Sequence, residues 1–174
     1  LHASPGGPQH TRQAQLRAFK KVQALTQLPA WRIEVLQPDA NAFIDFGTSN
    51  LGIPNSAGLT AIDNNYQAEQ HARHRAQVKP GGLGKASGLD IFQANTLRLR
   101  LTYLLEPLNP LVRRVLQTLG NPQGSYGQQA MARAGVLPIV LELDMDMQSH
   151  PLNWGASAEK FGTHVKYADC RRTT

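Results

Sequence analysis

Leu97-Arg98-Leu99-Arg100-Leu101-Thr102-Tyr103 is the stretch on which the fold turns. Leucines and the tyrosine occupy every second place and arginines fall between them, the period-2 mark of a strand with one buried face. A second run, Val136 to Gln148, alternates in the same way, with Leu141, Leu143, Met145 and Met147 set between Glu142, Asp144 and Asp146. Side by side, the two would form one half-buried ribbon. Arg98 and Arg100 would then face Glu142, Asp144 and Asp146 as a structural ion-pair face, not as a metal site or a catalytic carboxylate pair. Pro138 has no N–H to give to a ladder, so it belongs at a strand start or on an unpaired edge.

Helical and extended segments surround the ribbon. Leu16, Phe19, Val22, Leu25 and Leu28 recur at three-residue spacing opposite Arg17, Lys20 and Lys21, which predicts an amphipathic helix over 11–28 ended by Pro29. Trp31 to Val35 alternates again and reads as a third strand. Asp39 can cap a short helix carrying Phe43, Ile44 and Phe46, with Gly47 placed to stop it. Asn109 as N-cap, Pro110 at the first helical position, the apolar Leu111, Val112, Val115, Leu116 and Leu119, and Gly120 as terminator spell a complete helix. Another helical stretch is expected around 128–134. Residues 48–90 are rich in Gly, Asn, Ser, Gln and Pro and hold no sustained period beyond a polar helix over 65–77. An irregular stretch of that length is where partner contacts are expected.

With 174 residues, 41% hydrophobic and 17% charged, the chain is an ordinary globular one. Cys170 is its sole cysteine and cannot close an intrachain bridge. No window approaches the ~18 apolar residues of a membrane helix. The net charge of +6 points toward acidic partners, yet the basic residues are spread out. Even the densest region, 71–100, has neither a continuous stripe nor stacking aromatics.

Several segments imitate chemistry. His71 and His74 could share a helix face, but nothing beside them supplies the further ligands of a zinc site, so they are read as surface histidines. Lys79-Pro80-Gly81-Gly82-Leu83-Gly84-Lys85-Ala86-Ser87 resembles a phosphate-binding loop superficially; Lys79 stands at the first glycine position and Ala86 where magnesium needs a hydroxyl. A flexible loop is expected there. No Gly-x-Ser-x-Gly elbow is present. No catalytic residue, metal, cofactor or small-molecule substrate is expected.

Three blocks resemble those of the TadE-like minor pilins of tight-adherence pili. Arg32-Ile33-Glu34-Val35-Leu36-Gln37-Pro38 is followed by Phe43-x-x-Phe46-Gly47 and Ile53-Pro54-Asn55. Ile91-Phe92-Gln93-Ala94-Asn95-Thr96 leads into the strand at 97–103, with Pro110-Leu111-Val112 downstream. Leu137-Pro138-Ile139 runs through to Met147-Gln148-Ser149. The blocks span about residues 31–151 in the family's order. Asp146 stands where the family usually has Arg, and 60–85 departs from its usual loop.

The resemblance implies an α+β, pilin-like fold, with the N-terminal amphipathic helix packed on a small antiparallel sheet of three or four strands and with additional short helices. Residues 1–10, which begin at Leu1 and not Met, would be a linker after a removed N-terminal membrane helix. Residues 11–151 would be a single globular domain and 152–174 a C-terminal extension. The implied role is a structural assembly subunit of the bacterial cell envelope, on the periplasmic face of the inner membrane and then in the pilus or at the cell surface. Its partners would be other minor pilins and the major pilin. Candidate contacts are Phe19 and Lys20 on the first helix and Trp154, Phe161 and Tyr167 in the tail, where large aromatics are costly to leave in water. The alternative is a pilus-tip module in which the net charge gives weak binding to DNA or anionic surface glycans, sensitive to salt.

Overall fold

The structure, a computed structural model, describes residues 8–54, 56, 58–77, 80–153 and 164–167. Among them are six α-helices and six strands: α1 (Pro8–Thr26), β1 (Trp31–Gln37), α2 (Ala40–Phe46), β2 (Gly47–Thr48), β3 (Ala61–Ile62), α3 (Gln67–Gln77), α4 (Ile91–Ala94), β4 (Thr96–Leu105), α5 (Pro110–Leu119), α6 (Tyr126–Ala134), β5 (Leu137–Asp146) and β6 (Val165–Tyr167). Four strands form a sheet in the order β5-β4-β1-β6, and β2 pairs with β3 in a separate two-stranded ribbon.

The alternating runs are neighbours. Arg98 meets Asp144, Arg100 meets Glu142, and the Met147 N–H donates to the Asn95 carbonyl at 3.0 Å. Each step forward on β4 is matched by an equal step back on β5, so this pair is antiparallel. The small antiparallel sheet expected from the sequence is instead a mixed one, because β6 runs parallel to β1 with Ile33, Glu34 and Val35 beside Val165, Lys166 and Tyr167. A parallel neighbour cannot come from a tight hairpin. Here it comes from a segment more than a hundred residues away, which carries no alternating pattern of its own.

The chain divides into two compact units, one of residues 1–32 and 101–141, the other of 33–100 and 142–174. In the first, Val22, Ala30, Leu104, Tyr126, Ala130, Ala134 and Val136 make the core, with Phe19, Leu28 and Trp31 against it. Helix α1 starts at Pro8, earlier than the expected Thr11, since proline suits a first helical turn. Its apolar residues do not share one face: Val22 is buried, whereas Leu16 and Leu25 are exposed. A step of three residues falls about 60° short of a full helical turn, so the three steps from Leu16 to Leu25 carry the series about halfway around the helix. The Thr26 hydroxyl donates to the Val22 carbonyl at 2.8 Å, and Arg133 Nη1 donates to the Thr26 carbonyl at 3.0 Å. Ser125 caps α6, and Gly135 ends it in the left-handed region at φ 64°.

In the second unit, Ala42, Phe43, Ile62, Ile91 and Ala94 form the core, flanked by Phe46 and Leu89. Asp39 caps α2 through the Ala42 N–H, and Asp90 and Gln93 close a reciprocal capping box on α4. Gly47 lets β2 pass close by: a Cβ there would lie 2.2 Å from the Phe43 carbonyl oxygen. The segment expected as a C-terminal extension contributes backbone pairing, with Leu152 bridging to Ala61 and the Ile33 N–H donating to the His164 carbonyl at 2.7 Å.

Candidate interaction surfaces

On the polar face of the β4–β5 pair, Arg98 Nη2 lies 2.7 Å from Asp144 Oδ2, and Arg100 Nη2 lies 2.7 Å from Glu142 Oε1. Arg100 also reaches Glu34 on β1 at 3.9 Å. Asp146 has no ion-pair partner among the described residues. The two carboxylates nearest the arginines thus spend their lone pairs on guanidinium N–H groups, and no group of three or more His, Cys, Asp or Glu among the described residues is placed to hold a metal ion.

The opposite face of β5 is apolar and open. Leu137, Ile139, Leu141, Leu143 and Met145 are 41–61% exposed. Helix α5 behaves in the same way. Its cap, its first-turn proline and its terminator stand where the sequence puts them, but no residue of it is buried, and Leu111, Val112, Val115 and Leu119 are 45–69% exposed. A stripe at helical spacing marks a face to be covered. It does not say whether this chain or another molecule covers it, and so the sequence reading missed α5 as a surface.

The other residues singled out from the sequence fall in several places. Phe19 is half-buried, its ring edge-on to Tyr103 with centroids 6.0 Å apart, and so belongs to packing. Lys20 is exposed on α1. Trp154, Phe161 and Cys170 lie outside the described residues, and of Tyr167 the backbone alone is described, in β6. His71 and His74 are half-buried, His71 tilted against Phe92 at 5.3 Å and His74 edge-on to Phe46 at 5.1 Å. They pack α3 onto its own unit.

The glycine-rich segment that imitates a phosphate loop is already occupied. Asp45 accepts hydrogen bonds from the N–H groups of Ala86 at 3.0 Å and Ser87 at 2.7 Å, and from the Ser87 hydroxyl at 2.7 Å. A carboxylate of this chain sits where an anion would, and residues 84–88 are clamped, not loose as the sequence led us to expect. Burial alone would raise the Asp45 pKa, but the bonds from Ala86, Ser87 and Lys85 outweigh it and hold the carboxyl below its ordinary value.

A pocket of about 220 Å³ is lined by Val35, Phe43, Leu97, Met147, Ser149 and His150, among others. It is smaller than the ~300–1,000 Å³ usual for small-molecule sites. The His150 ring is engaged, its Nδ1 accepting the Asn64 N–H at 2.9 Å. No helix among the described residues is long and apolar enough to cross a membrane.

No family model, curated protein or solved structure matches this chain.

Proposed function

We propose that this chain is a structural assembly subunit of the TadE-like minor pilin kind, acting through contacts with other minor pilins and the major pilin of a tight-adherence pilus in the cell envelope. The observation that carries this reading is the apolar side chains left in water along two regular elements, α5 and β5. Patches of that kind mark places where another protein docks. The engaged state of the polar groups points the same way: Arg98, Arg100, Glu142, Asp144 and Asp45 are bonded to one another or to backbone, and the conspicuous polar clusters act in folding.

The family-like blocks support the reading by their placement. Residues 32–37 of the first block lie on β1, 91–94 and 96–103 of the second on α4 and β4, and 137–146 of the third on β5, and these three strands are consecutive in the sheet. Three separated stretches of sequence therefore supply neighbouring strands.

The test is co-expression with minor pilins encoded beside it, followed by affinity capture. The chain is expected to retain at least one sibling, and paired Leu111→Ser and Val115→Ser changes, at positions that carry no core contact, are expected to weaken capture. A chain that captures no sibling pilin would overturn the reading.

A further inference from the structure

We propose that the chain forms a symmetric dimer by antiparallel pairing of β5 with β5 of a second copy, in the register that sets Leu141 directly opposite its own counterpart. The inference does not rest on the pilin reading, since it concerns only how this strand meets an identical one.

β5 is the outer strand in the order β5-β4-β1-β6, ten residues long and exposed at every position but Pro138. The Met147 N–H donates inward to Asn95, and in a regular strand alternate residues turn their backbone groups to opposite sides. Odd-numbered residues of β5 therefore address β4. Even-numbered ones aim N–H and C=O away from it: Val140, Glu142, Asp144 and Asp146, with the carbonyl of Pro138. Proline stands at an even position, where the N–H it lacks would have pointed off the sheet. Among the described residues no strand pairs with that side of β5, and a long edge left open is a template for another strand.

Charge then selects the occupant and the register. Outward-facing residues must pair with outward-facing residues, so a two-fold arrangement has to centre on a single residue. Two centres give the longest overlap of β5 with itself, Leu141 and Glu142. Centring on Glu142 sets that carboxylate against its own copy, and like charges directly opposite are destabilising. Centring on Leu141 sets Leu143 against Ile139 and Met145 against Leu137, all on the apolar face, while Glu142 meets Val140 and Asp144 meets Pro138. No carboxylate then opposes a carboxylate, and Arg100 and Arg98 already neutralise Glu142 and Asp144 from the neighbouring strand. The strand is complementary to itself in that register, which identifies a second copy of this chain as the partner.

Sedimentation equilibrium of the whole chain from low micromolar concentration upward is expected to show a reversible monomer–dimer equilibrium. Val140→Pro deletes an outward N–H and no bond to β4, so the circular dichroism and the melting of dilute protein should stay as they are. The dimer should lose two hydrogen bonds, one per copy, and its dissociation constant should rise about tenfold or more. The second variant reads the register. Across a non-hydrogen-bonded pair, Cα atoms lie about 4.5 Å apart, within disulfide range. In a Cys170→Ser background, Leu141→Cys should oxidise to a covalent dimer and Glu142→Cys should not. A chain that stays monomeric throughout, a dimer indifferent to Val140→Pro, or cross-linking through Glu142→Cys in place of Leu141→Cys each overturns the proposal.

Discussion

Arg98 grips Asp144 across the β4–β5 pair with two parallel hydrogen bonds, Nε to Oδ1 at 2.8 Å and Nη2 to Oδ2 at 2.7 Å. The planar fork of the guanidinium matches the two carboxylate oxygens, a fit that the single ammonium of lysine cannot reproduce. The bond from Arg98 is the main reason the Asp144 carboxyl is held below its ordinary value; slight desolvation opposes it and the arginine's charge adds to it. The same contact raises the Arg98 pKa.

Carboxyl-carbon NMR should therefore find Asp144 titrating below 3.8. Its pKa is lower folded than unfolded, so the stabilisation is present above 3.8 and disappears as pH falls through the folded value. Arg98→Lys should move the titration part of the way up, and Arg98→Gln further. A wild-type Asp144 that titrates at or above 3.8 would refute the pairing in solution.

Asp45 supports a second acid-side expectation. It clamps residues 84–88 through three hydrogen bonds to an ionised oxygen pair, and bonds to charged groups contribute about 1.5–3 kcal/mol. Asp45→Ala should thus lower the unfolding free energy at neutral pH by about 2 kcal/mol, read from urea denaturation. The folded pKa lies below the unfolded 3.8, so the difference between variant and wild type should shrink as pH drops through that depressed value. A difference that is constant down to low pH would mean the clamp does not depend on the charge.

These two carboxylates show what the sequence can and cannot tell. Asp144 lies in a strict alternation, where strand periodicity alone puts arginines and carboxylates on the polar faces of two strands, so its partner could be read from the pattern. Asp45 and Ser87 are 42 residues apart and no local period links them. The Gly-rich run read as a flexible loop, because nothing local names the carboxylate that clamps it. The caps of α2 and α5 were legible because Asp39 and Asn109 act within three residues of themselves. The ribbon of β2 and β3, two residues in each strand, was too short to show a period, and β6 is held by β1 and has no pattern of its own. The surface on α5 was invisible for a different reason: burial is a property of what surrounds a stripe, and the stripe is the same whichever molecule covers it.

Tyr126 is the counterpart on the alkaline side. Its hydroxyl donates to the Pro29 carbonyl, and Arg32 lies over the ring with Cζ 4.4 Å from the centroid. Burial pushes its pKa up to about 12 against the pull of the Arg32 charge. The folded state holds the phenol proton more tightly than the unfolded chain, so this stability is complete below pH 10 and is lost as pH rises toward 12. Tyr126→Phe should cost about 1 kcal/mol at neutral pH through the lost hydrogen bond and should flatten that alkaline decline. A decline of the same steepness in the variant would assign it to other groups.

Gly135 and Gly88 separate backbone strain from packing. Both hold φ values in the left-handed region, 64° and 70°. Nothing lies within 4 Å of a Cβ placed at Gly88, whereas one at Gly135 would sit 2.2 Å from the Arg113 carbonyl oxygen of α5. Gly88→Ala should therefore cost the left-handed penalty alone, about 1–2 kcal/mol. Gly135→Ala should cost that and a further ~1–3 kcal/mol, because α5 must shift to admit the methyl group. Equal losses for the two variants in urea denaturation would show that α5 yields freely at this contact. A larger loss at Gly135 would show that α5 is fixed against the end of α6, and that its exposed apolar face is carried on a rigid support.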